Sequence, residues 1–189
     1  PPILRKGDYI YGSFLKPEGT NGYIKNTNPS NKDIPIGRYS FSFSSIPQAI
    51  AYAKAMKEQW ANRSIQSRVE PIFRFQQDIV KNHTNMARII SLDSGCPLHE
   101  ASIEVNETIR FLQYLIEAAP NILENISHKH HTQKLVPLGC LALLTPHVHS
   151  FFTGVLFSAS AIISGNVVLH KPSKYAPAIG QTIAEIWDR

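Results

Sequence analysis

Residues 137–173 read PLGCLALLTPHVHSFFTGVLFSASAIISGNVVLHKPS, and the fold turns on this stretch. Gly139–Thr145 is a short apolar run closed by Pro146, which suits a buried strand. Ser150–Ser164 carries no charge and is rich in Phe, Ala, Leu and Ile, which suits a buried helix. Gly165-Asn166 interrupts it, and Val167–His170 is a second, β-branched run. Strand, buried helix and strand make a βαβ unit with parallel pairing. Ligands of open α/β sheets bind beyond the carboxyl ends of the strands. The turns Thr145–Ser150 and Lys171–Lys174 are therefore the candidate site.

Upstream, Gly7–Phe14 alternates aromatic and small residues and predicts one strand. Tyr23–Asn26 and Ile34–Ser44 predict two more, on either side of the turn Asn28-Pro29-Ser30-Asn31. Such an antiparallel arm has too little apolar area to fold alone, so it is expected to lie on the helical body or on another subunit. A first helix begins at Ser45 as N-cap, with Pro47 in its first turn and Ile50, Ala53, Met56 and Trp60 at helical spacing. A second, long helix is predicted from Ser64 to about Leu92, with Val69, Ile72, Phe73, Phe75, Ile79, Met86 and Ile89-Ile90 as its stripe. Pro71 is a candidate kink or a sign of a later start. A third runs from about His99 to Ala119, with Ile103, Ile109, Leu112, Leu115 and Ile116 facing the core and Pro120 at its end.

The 189 residues suffice for one domain with a sizeable core; 43% are hydrophobic and 17% charged. The net charge of +5 comes from scattered rather than clustered basic residues, which argues against a nucleic-acid partner. No apolar run is long enough to span a membrane, and no signal peptide is visible. The two cysteines, Cys96 and Cys140, form no CxxC pair or metal spacing, which fits a reducing, cytoplasmic setting. Cys140, inside an apolar strand, is expected to be an inert core thiol.

No nucleophile–base constellation emerges, and no metal site is expected. His128-Lys129-His130-His131 lacks a Cys or carboxylate at a recognised spacing and reads as a solvated loop. His147 and His149 follow a strand and would share a face in extended chain, which suits the polar mouth of a cleft better than a metal. Glu100 and Glu104 share a helix face and read as a solvated edge. Lys171 stands where a cation can meet a ribose or phosphate, with Pro172 stiffening the turn.

Taken together, the motifs resemble the N-terminal half of the NAD(P)-dependent aldehyde dehydrogenase superfamily. They are Asn28–Asn31 (NPSN), Trp60, Ser64 and Arg68 (W-x3-S-x3-R), Asp93–Pro97 (DSGCP, for the family's E-x-G-K-P) and Glu104-Val105. Pro137–Gly139 (PLG), Pro146 in the place of P-W-N-F-P, Gly165-Asn166 and Lys171–Ser173 (KPS) complete the series. Within the superfamily the match is most similar to succinylglutamate-semialdehyde dehydrogenases. The resemblance implies an α/β fold: a short β arm, long helices and the start of a Rossmann-like parallel sheet. Residues 1–44 would be the arm, packing near the oligomerisation region. Residues 45–189 would be the helical region and the first part of the NAD(P)-binding domain. The implied reaction is attack of a cysteine thiolate on an aldehyde, hydride transfer to the nicotinamide and hydrolysis assisted by a glutamate.

Carried over by position, Lys171, Pro172 and Ser173 match the family's ribose-binding turn, but Lys174 stands where its ribose-binding Glu belongs. That exchange weakens a hydroxyl contact and favours a 2′-phosphate. Thr145, Pro146 and His147 line the same cofactor site, with His147 at an aromatic position. Val148 occupies the place of the oxyanion Asn and has no donor; losing one such donor costs about 10²–10³ in rate. The family's catalytic Cys and Glu match nothing in this chain, so no catalytic residue is assigned. The expected function is that of the N-terminal portion of an NAD- or NADP-dependent semialdehyde dehydrogenase, inactive alone. The competing expectation is a non-catalytic relative serving as an interaction or nucleotide-binding module. A sheet of two parallel strands leaves an open edge, so a homo-oligomer or association with another subunit is expected.

Overall fold

The computed structural model describes residues 6–15, 19–124, 126, 127, 129, 130 and 132–189. Its front is two antiparallel hairpins. β1 (Asp8–Ile10) pairs with β2 (Ser13–Leu15), and β3 (Gly22–Asn28) with β4 (Asn31–Phe41). The single strand expected over Gly7–Phe14 is thus folded back on itself, because Tyr11 and Gly12 take positive φ of 52° and 71° and reverse the chain.

Four helices follow: α1 (Ser45–Ala61), α2 (Ile65–Lys81), α3 (His83–Ser94) and α4 (Leu98–Ile122). The N-cap of α1 is Ser44 rather than Ser45. The long second helix expected from Ser64 is two helices. At Asn82 φ is −107° and ψ 16°, away from helical values, and there α2 gives way to α3; the side-chain amide joins the backbone amide in donating to the Asp78 carbonyl, at 2.9 and 3.1 Å. Pro71 lies inside α2 without ending it, and α4 likewise runs through Pro120 to Ile122. The short pair β5 (Ile126–Ser127) and β6 (Thr132–Gln133) leads toward the βαβ unit. That unit is β7 (Cys140–Leu144), α5 (Ser150–Ile163) and β8 (Val167–Lys171), followed by α6 (Pro177–Trp187). β7 and β8 are parallel, with Cys140 opposite Val167 and Leu144 opposite Lys171.

The core lies among α2–α6. Ile72, Phe75, Ile79, Ile90, Val105, Leu112, Phe151, Val155, Ile163, Ile179 and Ile183 are fully or almost fully buried. At about 25 cal/mol per Å² such burial is the main stabilising term. Phe73 and Ile103, expected on the stripes, are exposed instead. Cys140 is exposed as well, contrary to the expected core thiol. β7 covers only one face: Leu141 and Leu143 are half-buried, whereas Cys140, Ala142 and Leu144 face outward.

The arm lies on the helical body. Ser30 Oγ donates to the Gly95 carbonyl at 2.7 Å, and the Asn26 side-chain amide donates to Asp93. These contacts give NPSN and DSGCP a shared purpose, since each supplies half of one joint. W-x3-S-x3-R has another. The Trp60 indole donates to the Ile162 carbonyl at 2.8 Å, and the Ser64 hydroxyl caps α2 by accepting from the Ser67 amide at 3.2 Å. Arg68 is buried against Gly165, where a Cβ would come within 2.2 Å of Nη1.

Candidate functional site

The parallel register brings the carboxyl ends of β7 and β8 together and sets their two turns side by side. The Thr145 amide donates to the Lys171 carbonyl at 3.4 Å, extending the ladder by one bond. Thr145 Oγ1 and His170 Nε2 share a hydrogen bond of 2.9 Å. Burial lowers the His170 pKa from 6.5 to about 4, helped by the neighbouring Lys171 charge, so the imidazole is neutral near pH 7. The His147 ring stands edge-on to Tyr175, centroids 5.7 Å apart. Pro172 packs against α6 at Gly180, where a Cβ would approach Pro172 Cγ to 2.3 Å, and so the KPS turn is seated on that helix.

Lys171 and Lys174 are both exposed. Lys171 Nζ donates to the Pro172 carbonyl at 3.2 Å, and Lys174 Nζ stands 4.9 Å from the centre of the Tyr175 ring. Among the described residues neither has a carboxylate partner within ion-pair distance. Ser173 shapes the turn, its Oγ accepting from the Tyr175 amide at 3.2 Å. Pro146, His147 and Val148 are exposed on the facing turn. The turn thus offers two exposed cations without a carboxylate partner among the described residues, and a hydroxyl, a donor set suited to a phosphate or a sugar hydroxyl oxygen.

His147 and His149 do not share a face. The chain at 147–149 is turned rather than extended, and His149 adopts φ 47° and ψ 43° just before α5. His149 Nδ1 instead lies 3.8 Å from Glu104 Oε2. Glu104 is itself buried rather than on a solvated edge. Its Oε1 accepts from the backbone amides of Phe151 and Phe152, each at 3.0 Å. With Glu100, Ile103, Glu107, His149 and Phe152 it borders a cleft of about 420 Å³ beside the 145–150 turn. Among the described residues no group of three His, Cys, Asp or Glu side chains could hold a metal; His128 and His131 of the earlier His cluster lie outside those residues.

Sequence reasoning brought the two turns together but missed Glu104, Asp93 and His170. The only signal for Glu104 was its place in the Glu104-Val105 motif. His170 was read solely as the last residue of a strand.

Against known proteins, the aldehyde dehydrogenase family model matches residues 14–189. The chain belongs to the aldehyde dehydrogenase family, and its fold is the N-terminal part of that family's fold. N-succinylglutamate 5-semialdehyde dehydrogenase of Legionella pneumophila (strain Paris) is 29% identical over 194 residues, covering 98% of this chain and 38% of that protein. Malonate-semialdehyde dehydrogenase 2 of Bacillus mycoides is 26% identical over 95% of this chain and 38% of its own length. Among solved structures, aldehyde dehydrogenase C of Pseudomonas syringae, holding NAD+ and octanal, superposes with a TM-score of 0.89 at 22% identity. That match covers 95% of this chain and 37% of the other. The chain therefore spans well under half the length of these relatives. Among the described residues no helix is long and apolar enough to cross a membrane.

Proposed function

We propose that this chain supplies the ribose-binding turn and the carbonyl-facing turn of an NAD(P)-dependent semialdehyde dehydrogenase, a cytoplasmic enzyme that oxidises its substrate to a carboxylic acid. The observation that carries this reading is the joint presentation of the 145–150 and 171–175 turns, tied by Thr145 to both His170 and Lys171. The names of the similar proteins favour a semialdehyde, and succinylglutamate semialdehyde first. When bound, the dinucleotide would supply the hydride acceptor. Lys171, Ser173 and Lys174 would hold its adenosine ribose, while Thr145, Pro146 and His147 would form the opposite wall. Two cations with no carboxylate partner among the described residues suit a phosphorylated ribose better than a free diol, so NADP is preferred over NAD. The nucleophile and hydrolytic base would come from protein beyond this match.

A second reading rests on one observation. Val148 is exposed at the position expected to carry an oxyanion donor, and its side chain can donate nothing. That favours a non-catalytic nucleotide-binding or interaction module. In either case the outward face of β7, continued by exposed Leu138 and Leu144, is proposed to be covered by a second copy of the chain or another subunit. Calorimetric titration with NADP and NAD tests the binding shared by both readings. Heat with NADP that disappears in Lys171→Ala supports it. No heat with either nucleotide, beside a homo-oligomer in sedimentation, leaves only the interaction module. Assay of a longer form of the protein with NADP and succinylglutamate semialdehyde separates the enzyme from the module.

A further inference from the structure

We propose that Glu104 is the positioning residue of the 145–150 turn, a carboxylate delivered by α4 into the anion seat at the start of α5. The first amides of a helix have no partner within it, and the helix dipole makes that end attract negative charge. α5 has no cap of its own: His149 precedes it in a left-handed conformation and makes no side-chain capping bond. Glu104 does this work from another element. One oxygen accepts from the amides of both Phe151 and Phe152 at 3.0 Å, and the other faces His149 Nδ1 at 3.8 Å. The Glu104 side chain is 8% exposed, so these are charge-assisted bonds shielded from water.

The helix after β8 is treated the same way. Asp93, almost fully buried, accepts from the Ile179 amide at 2.9 Å near the start of α6 and from the Asn26 side chain of the arm. Both helix starts that follow the parallel strands are therefore closed by carboxylates from the helical layer. Any anionic group of a ligand at these turns must be met by side chains such as Lys171 and Lys174, not by the two helix ends. This inference stands whether or not the chain binds a nucleotide.

The test is amide hydrogen exchange on the whole 189-residue chain with Glu104→Ala and Glu104→Gln. Glu104→Ala should speed exchange at Phe151 and Phe152 by about 10- to 100-fold, the worth of charge-assisted bonds. Formate should restore that protection, because its carboxylate fits the vacated seat. Glu104→Gln, which keeps an acceptor but no charge, should fall between and gain nothing from formate. Unchanged exchange in Glu104→Ala would overturn the proposal. So would lost protection that formate does not restore, which is the mark of a purely packing role. Slowed exchange at these two amides when phosphate is added to the unsubstituted chain would show the seat to be open. Should Glu104→Ala fail to fold, Glu104→Gln decides alone: exchange equal to the parent overturns the proposal, and exchange faster at these amides than along the rest of α5 supports it. Nucleotide enters none of these measurements, so their failure is distinct from failure of the nucleotide reading.

Discussion

Lowering the pH below about 6.5 should weaken this protein through one residue, His170. Burial depresses its pKa to about 4 from an ordinary 6.5, with Lys171 adding to the effect. Between those values the unfolded chain takes up a proton that the folded chain refuses. The stabilisation is complete above pH 6.5, is lost as pH falls, and stops changing below about 4, where the folded imidazole also protonates. A gap of about 2.5 pH units at about 1.4 kcal/mol each is worth about 3 kcal/mol, with a limiting slope near 1.4 kcal/mol per pH unit. The geometry explains why the ring resists charge. It is wedged where a Cβ on Gly154 would come within 3.2 Å of Cε1, and its Nε2 is already engaged by Thr145 at 2.9 Å. Urea unfolding followed by circular dichroism from pH 4 to 7.5 measures this, with His170→Asn as the reference. The stability difference between parent and variant should shrink by about 3 kcal/mol across the window and stay level above it. A difference that does not vary with pH would refute the reasoning, whatever its size at pH 7.

Asp93 should act with the opposite sign. Burial raises its pKa above the ordinary carboxylate value, against the lowering effect of the Asn26, Ile179 and Ala178 hydrogen bonds. Its contribution therefore grows as pH falls from the raised value toward the ordinary one, and Asp93→Asn should abolish that growth in the same urea series. At neutral pH the same substitution turns one acceptor into a donor facing another donor, at a cost of about 1–3 kcal/mol by chemical denaturation. Gly165→Ala should destabilise by about 2–4 kcal/mol, because φ is +87° and the new methyl meets Arg68 Nη1 and Pro137 Cγ. Adding Arg68→Ala should recover part of that loss, and a purely additive double variant would count against the clash. Lys174→Glu restores an acceptor at the turn. Calorimetry should then show NADP affinity reduced by at least about tenfold relative to NAD, through loss of a charge-assisted contact.

How far the chain could be read in advance varied with the range of the forces involved. The βαβ unit was legible because its pattern is local: two short apolar runs, an uncharged segment between them and Gly165-Asn166 as a break. The observed β7, α5 and β8 lie within a residue or so of those limits. The break at Asn82 was not legible. An Asn within a helical pattern costs little by propensity, and nothing in the neighbouring residues marks the φ of −107° at which α2 gives way to α3. The positive φ of Tyr11 was hidden for the same reason, since alternating residues predict an extended chain without reporting where it reverses.

By itself the sequence determined the βαβ unit, the family and the location of the two turns, because periodicity, breakers and motif spacing are properties of neighbouring residues. Tertiary structure decided what those turns are made of. It placed Glu104, 47 residues upstream of Phe151, under the start of α5, and Asp93, 86 residues before Ile179, under the start of α6. It also left one face of β7 open, so that Cys140 is exposed. Burial and long-range hydrogen bonding depend on which surfaces meet in space, and a carboxylate at helical spacing looks the same in sequence whether it meets water or the amides of another helix.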